Sequence, residues 1–181
     1  MAHLLTPELG KISAVARHAR GSRKRFPAAL DLFDRGTAVI GVERSGILAL
    51  KSFTPVHSLT AMRRDLDKLT LASTVAELFD LVVQEKDDSA SLELFQLFDL
   101  ALNAIDEASD LRGSLKALTI ACLRIGAISG YLAEEDCAPS VHTLKGAIIA
   151  AERFVQRKLL TKPTTFDVIQ RFIRDSQSGT R

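Results

Sequence analysis

From Lys11 to Arg17 apolar and polar positions alternate, with Ile12, Ala14 and Ala16 on one face and Lys11, Ser13, Val15 and Arg17 on the other. A period of two predicts a strand. Before it, HLLT is a short apolar strand, and the stretch from Pro7 to Gly10 is a turn. Gly21 and Ser22 break the alternation. ALDLF (29–33), TAVIGVE (37–43) and ILALKSF (47–53) then read as further strands, the last two joined through Arg44-Ser45-Gly46 as a hairpin. Short strands with glycine-containing turns predict a small barrel or sandwich.

After Pro55 the period becomes helical. Leu59, Met62, Leu66, Leu69, Ser73 and Ala76 recur at three- and four-residue steps, and Leu71, Val75, Leu78 and Val82 form a second stripe beside them. So broad an apolar surface predicts a central helix buried on most sides. Asp87-Asp88-Ser89 ends it and offers a cap for the next. Further helices are predicted over about 90–108, 111–128 (stopping at Gly130) and 141–160. A short fifth follows at 166–174, opened by Pro163-Thr164, and the tail SQSGTR frays. Strands followed by helices make an α+β chain, with a β domain at 1–56 and an α-helical domain at 57–181.

Charge changes this picture at one end only. The net charge is +2, but residues 1–30 hold six bases and one acid, whereas the remainder holds 18 bases and 21 acids. The six bases are Lys11, Arg17, Arg20, Arg23, Lys24 and Arg25, with no acid between Glu8 and Asp31. A strand and loop of spaced cations neutralises phosphates and releases their counterions, so DNA contact by these six is the expectation. The competing reading is a solvated basic hairpin. Phe26 is the only aromatic in the run, which favours backbone contact over base stacking. A second basic group, Arg153, Arg157, Lys158 and Lys162, lies beside Phe154 and Leu160. Arg153 and Arg157 are spaced to share a helical face. A basic rim beside apolar residues suits an acidic, apolar peptide end, and the alternative is the charged side of an amphipathic helix.

Other chemistry is thin. His3, His18, His57 and His142 do not pair with each other or with cysteine at metal-ligand spacing, and Glu134, Glu135 and Asp136 read as a solvated loop. Cys122 and Cys137 make no disulfide framework, and Cys122 reads as a small core residue. No phosphate-binding glycine loop, GxSxG or Cys-His motif occurs, so no enzyme, metal or cofactor is expected. Apolar stretches fall short of the roughly 18–20 residues a membrane span needs, and MAHLLTPELG lacks a secretory pattern. The expectation is a cytoplasmic, nucleoid-associated protein that contacts no membrane.

The order TPELGKISAVARHARGSRKRFPAALDLF resembles the first domain of the RecO family of bacterial recombination mediators. Gly10-Lys11 and Ala16-Arg17-His18-Ala19-Arg20 match its glycine-lysine strand and basic run, except that His18 stands where glycine is usual. SLTAMRRDLDKLTLASTVAELFDLV is similar to the family's long helix after the barrel, ACLRIGAISGYLAEEDC to its helix ending in a Gly-Tyr turn and a cysteine, and ERFVQRKLLTKPTTFDVIQRF to its closing helices. The resemblance implies an OB-type barrel followed by a helical domain, and a mediator that binds single- and double-stranded DNA. It further implies annealing of complementary strands, recombinase loading with RecR as partner, and contact with the C-terminal tail of single-strand binding protein, here placed at Arg153, Phe154, Arg157 and Lys158.

Two departures qualify the match. Family members carry further residues before the equivalent of His3, supplying a first barrel strand. The expectation is therefore a truncated or misassigned start, or a barrel lacking that strand, with two unpaired edges. Some members also build a zinc site from paired CxxC motifs after the equivalent of Cys137, where this chain has Ser140 three residues on. No zinc is expected. The competing function is a helical protein-interaction module whose degenerate β head no longer binds DNA.

Overall fold

A computed structural model of the chain describes all residues except 18, 20, 23, 27–29, 45, 58, 84–90, 134–137 and 179–181. It is α+β, with short antiparallel strands followed by helices. β1 (Ala2–Thr6) and β2 (Gly10–Ala14) form a hairpin in the register Thr6↔Gly10 to Ala2↔Ala14. The Thr6 hydroxyl closes its turn, donating to the Gly10 carbonyl at 3.1 Å and accepting from Leu9 N–H at 3.0 Å. Gly10 adopts φ 60°, which glycine takes without a Cβ clash. β3 (Arg35–Val42) and β4 (Leu48–His57) form the second hairpin. Val15 joins the two: its N–H donates to Leu48 O at 2.9 Å, and its carbonyl accepts from Leu50 N–H at 3.1 Å. As the alternation predicts, Ile12 and Ala14 face inward, and Ala14, Phe26, Leu50 and Phe53 form a small core.

The expected OB-type barrel is not closed. Among the described residues the strands form two separate pairs, and neither β1 nor β3 has a second strand neighbour. Part of the reason lies in ALDLF, which is predicted as a strand and whose described residues make none. Asp31 N–H donates to Asp34 Oδ2 at 2.8 Å, and Leu32 N–H to Asp31 Oδ1 at 2.8 Å. Aspartate side chains here take backbone donors that a ladder would need. Phe33 turns the chain at φ 65°, and Arg63 holds both Asp31 and Asp34.

The helical part begins with a 3-10 turn, Met62–Arg64, followed by α1 (Leu66–Val82), α2 (Ser91–Glu107), α3 (Leu111–Ile128), α4 (Val141–Val155) and α5 (Lys162–Ser178). The central helix starts at Leu66 instead of near Leu59, because extended Asp65 caps it by accepting from Asp67 N–H and Lys68 N–H. Asp110 and Ser140 cap α3 and α4 in the same way. The expected cap at 87–89 and the carboxylates at 134–136 lie outside the described residues. α4 is shorter than predicted: Gln156 enters the left-handed region at φ 53° and ends it. α5 is longer than predicted, with Pro163 accommodated in its first turn. α1 lies at the centre, with Leu71, Ala72, Val75, Leu78 and Phe79 buried against α2, α3, α4 and α5. Thr74 and Thr165 meet inside at Oγ1–Oγ1 2.5 Å.

Ion pairs dock the β part on the helices. Lys11 Nζ lies 3.1 Å from Asp80 Oδ1 on α1. Arg35 reaches α2, with Nε 2.9 Å from Asp99 Oδ1 and a guanidinium N–H donating to Asn103 Oδ1 at 2.7 Å.

Candidate nucleic-acid interface

The basic loop, residues 16–25, leaves the end of β2 and returns to β4. Its start is fixed by the bonds of Val15 to Leu48 and Leu50. Its return is a tight turn in which Arg25 and Phe26 N–H groups both donate to Ser22 O, at 3.1 and 2.9 Å. The Arg25 carbonyl then accepts from Phe53 N–H on β4 at 3.0 Å. Phe26 is only 2% exposed and packs with Ala14, Leu50 and Phe53. It therefore anchors the loop from inside and presents no face to a base.

The described cations of the run fall into different environments. Lys24 is exposed. Arg17 keeps a largely exposed side chain, 62% accessible, while one guanidinium nitrogen sits 3.0 Å from Glu43 Oε2. Arg25 is half-buried and shaped by its neighbours. Its Nε donates to Ser22 Oγ at 3.2 Å, a terminal nitrogen donates to Arg17 O at 3.4 Å, and the guanidinium carbon lies 5.8 Å from the Phe26 ring centre. Lys11 is set apart. Its side chain is 16% exposed, and the ammonium bonds both the carboxylate and the carbonyl of Asp80. Arg20 and Arg23 lie outside the described residues. Glu43, the acid that steadies Arg17, was not singled out from the sequence, and its separation of 26 positions gives no local signal.

The second basic group lies at the end of α4. Arg153 and Arg157 do not share one continuous helical face, because the helix stops between them at Gln156. The left-handed turn still gathers Arg153, Arg157 and Lys158 around a cavity of about 260 Å³ with Ile149, Glu152 and Gln156. Phe154 turns elsewhere: it stacks on Tyr131 at 4.8 Å between ring centres, with an interplanar angle of 25°. Glu152 also receives Leu159 N–H at 3.0 Å and pairs with Lys162, the first residue of α5, so Lys162 is held by an acid.

A larger cavity, about 1610 Å³, opens between β1, β3 and the α1–α2 face, lined by Leu5, Phe33, Phe53, Phe79 and Phe98. The Lys11–Asp80 and Arg35–Asp99 pairs lie on its walls. Among the described residues no group of three or more His, Cys, Asp or Glu is placed to hold a metal ion. Cys122 is wholly buried, and burial pushes its thiol up to about 12. Cys137 lies outside the described residues. No helix among the described residues is long and apolar enough to cross a membrane.

Two family models match this chain. Recombination protein O N terminal covers residues 1–59, and Recombination protein O C terminal covers residues 63–140. The chain belongs to the RecO family. A relative from Anaeromyxobacter dehalogenans (strain 2CP-C), DNA repair protein RecO, is 39% identical over 137 residues, or 75% of this chain and 52% of its own. The protein of the same name from Syntrophus aciditrophicus is 32% identical over 134 residues, 73% of this chain and 49% of that one. That from Desulfosudis oleivorans is 31% identical over 152 residues, 80% of this chain and 56% of that one. The chain thus spans about half the length of these RecO relatives. No solved structure matches it.

Proposed function

We propose that this RecO-family chain acts in DNA repair as a non-catalytic mediator that grips DNA by its phosphates. The observation that carries the reading is the construction of the basic loop: its aromatic is turned into the core while Arg17 and Lys24 are left at the surface. Arg17, Arg20, Arg23, Lys24 and Arg25 are the phosphate contacts. Lys11 joins them only by releasing Asp80, so it contributes least. Binding extends to single and double strands alike, because both present a phosphate backbone to the cations. Annealing follows from a cationic surface that screens two polyanions as they meet. Recombinase loading with RecR, on strands coated by single-strand binding protein, is the process these contacts serve, and the names of the curated relatives support a repair role.

The test is a salt titration with single-stranded DNA. Five contacts give a slope of log K against log salt of about −3.5. Charge reversal at Arg17 and Arg20 weakens binding to all sequences equally. Unchanged affinity removes these residues from the site. Absence of binding at low salt rejects the DNA reading in favour of a protein-interaction module, which the unclosed barrel makes the natural competitor.

The pocket of Arg153, Arg157 and Lys158 is assigned to the acidic C-terminal tail of single-strand binding protein. Phe154, 48% exposed on its stack with Tyr131, supplies an adjoining apolar surface. Titration of a labelled tail peptide against Arg153→Ala/Arg157→Ala decides it, equal affinity being the result that rejects it.

A further inference from the structure

The geometry points to a further DNA contact outside the basic run. We propose that Lys51, exposed on the second hairpin with its stem over Gly41, binds a phosphate of the same strand that the basic loop holds. The inference rests on the DNA-binding reading above.

Three observations place Lys51 there. First, β3 and β4 slip register between Val39 and Ile40: Val39 pairs with Ser52 and Ile40 with Leu50, so Lys51 is the extra residue of a bulge. Bulges re-aim a side chain. Lys51 is exposed, while Leu50 before it and Phe53 after it are buried. Second, the stem lies across Gly41. A Cβ at position 41 would stand 2.8 Å from Lys51 Cε and 3.4 Å from its Cγ, so the stem runs directly over Gly41. Among the described residues no carboxylate pairs with Lys51. Third, Lys51 lies between the two β4 residues that hold the loop. Leu50 N–H binds Val15 O at 3.1 Å at the loop's start, and Phe53 N–H binds Arg25 O at 3.0 Å at its return. Val15 bridges Ala49, two residues before Lys51, so the Lys51 backbone is about 8 Å from the loop's anchored start, and its stem crosses β3 at Gly41, two residues from the Glu43 that holds Arg17. A polyanion that reaches Arg17 at Glu43 passes an ammonium that no described carboxylate pairs.

Fluorescence anisotropy of labelled oligothymidylate with the full chain tests this. Lys51→Ala is expected to weaken binding about threefold at low salt and to make the salt slope shallower by ~0.7, as loss of one single-strand phosphate contact requires. Lys116→Ala, an exposed lysine of α3, leaves both unchanged. Wild-type affinity and slope in Lys51→Ala, with Lys24→Ala clearly weakened, overturns the inference and leaves the basic loop standing. Failure of the wild-type chain to bind at all overturns both.

Discussion

Lys11 leaves the edge of the basic run and docks on Asp80 of α1, its ammonium 3.1 Å from the carboxylate and bonded also to the same residue's carbonyl. The pair joins the β part to the central helix across 69 positions of sequence. Lys11 therefore separates from its neighbours in a simple experiment. Lys11→Met costs about 1 kcal/mol of stability in urea denaturation, near the upper end for a partly exposed pair, and leaves the salt slope of DNA binding unchanged. Lys24→Ala does the reverse. A double-mutant cycle of Lys11→Met with Asp80→Asn returns a coupling of similar size.

The hydroxyls of Thr74 and Thr165 meet inside the helical core, and both residues are fully buried. Thr74 also bonds Thr70 O at 3.1 Å. Removing one hydroxyl strands the other, so Thr74→Val is expected to cost about 1–3 kcal/mol. Thr74→Val/Thr165→Val recovers much of that loss, because no donor is then left unmatched. Equilibrium urea unfolding of the three variants checks the order; additive losses contradict it.

Cys122 gives a pH prediction. Burial raises its thiol from 9.0 to about 12, so the folded state holds the proton that the unfolded state releases first. The corresponding stability is complete below about pH 9 and is lost as pH rises towards 12. In a Cys137→Ser background, a thiol reagent at pH 8 is expected to leave the native chain unlabelled and to label it fully in denaturant. Rapid native labelling contradicts this burial.

Gln156 occupies left-handed backbone at φ 53° where α4 ends. Gln156→Gly is expected to raise stability by about 0.5–1 kcal/mol, since glycine adopts this conformation without the Cβ penalty. Thermal unfolding measures it; a lowered midpoint shows that the side chain contributes more than its backbone costs.

The same residue marks where the sequence stops being legible. Helical periodicity placed α2 and α3 almost to the residue, because the apolar stripes of long amphipathic helices are redundant and survive a misread position. Helix ends depend on single residues: Asp65 as a cap and Gln156 as a left-handed stop override a pattern that continues through both. ALDLF alternates as a strand does, yet its aspartate joins Asp34 and Arg63 instead, and Arg63 lies some 30 positions away. The position of the basic loop was legible from charge alone. Its inner construction was not, because the partners of Lys11, Arg17 and Phe26 are distant in sequence: Asp80, Glu43 and the β4 core. Lys51 carries no sequence signal for a related reason. It is a lone cation in an apolar strand, and its placement comes from the bulge and from Gly41 across the hairpin.

The anchoring of Val15 and Phe26 has a kinetic corollary. A segment tied at both ends to one strand has already lost its loop-closure entropy on folding, so that part is not lost again when a ligand arrives. Mutations that loosen Phe26, such as Phe26→Ala, should therefore shorten the lifetime of any complex more than they slow its formation, with every cation still in place.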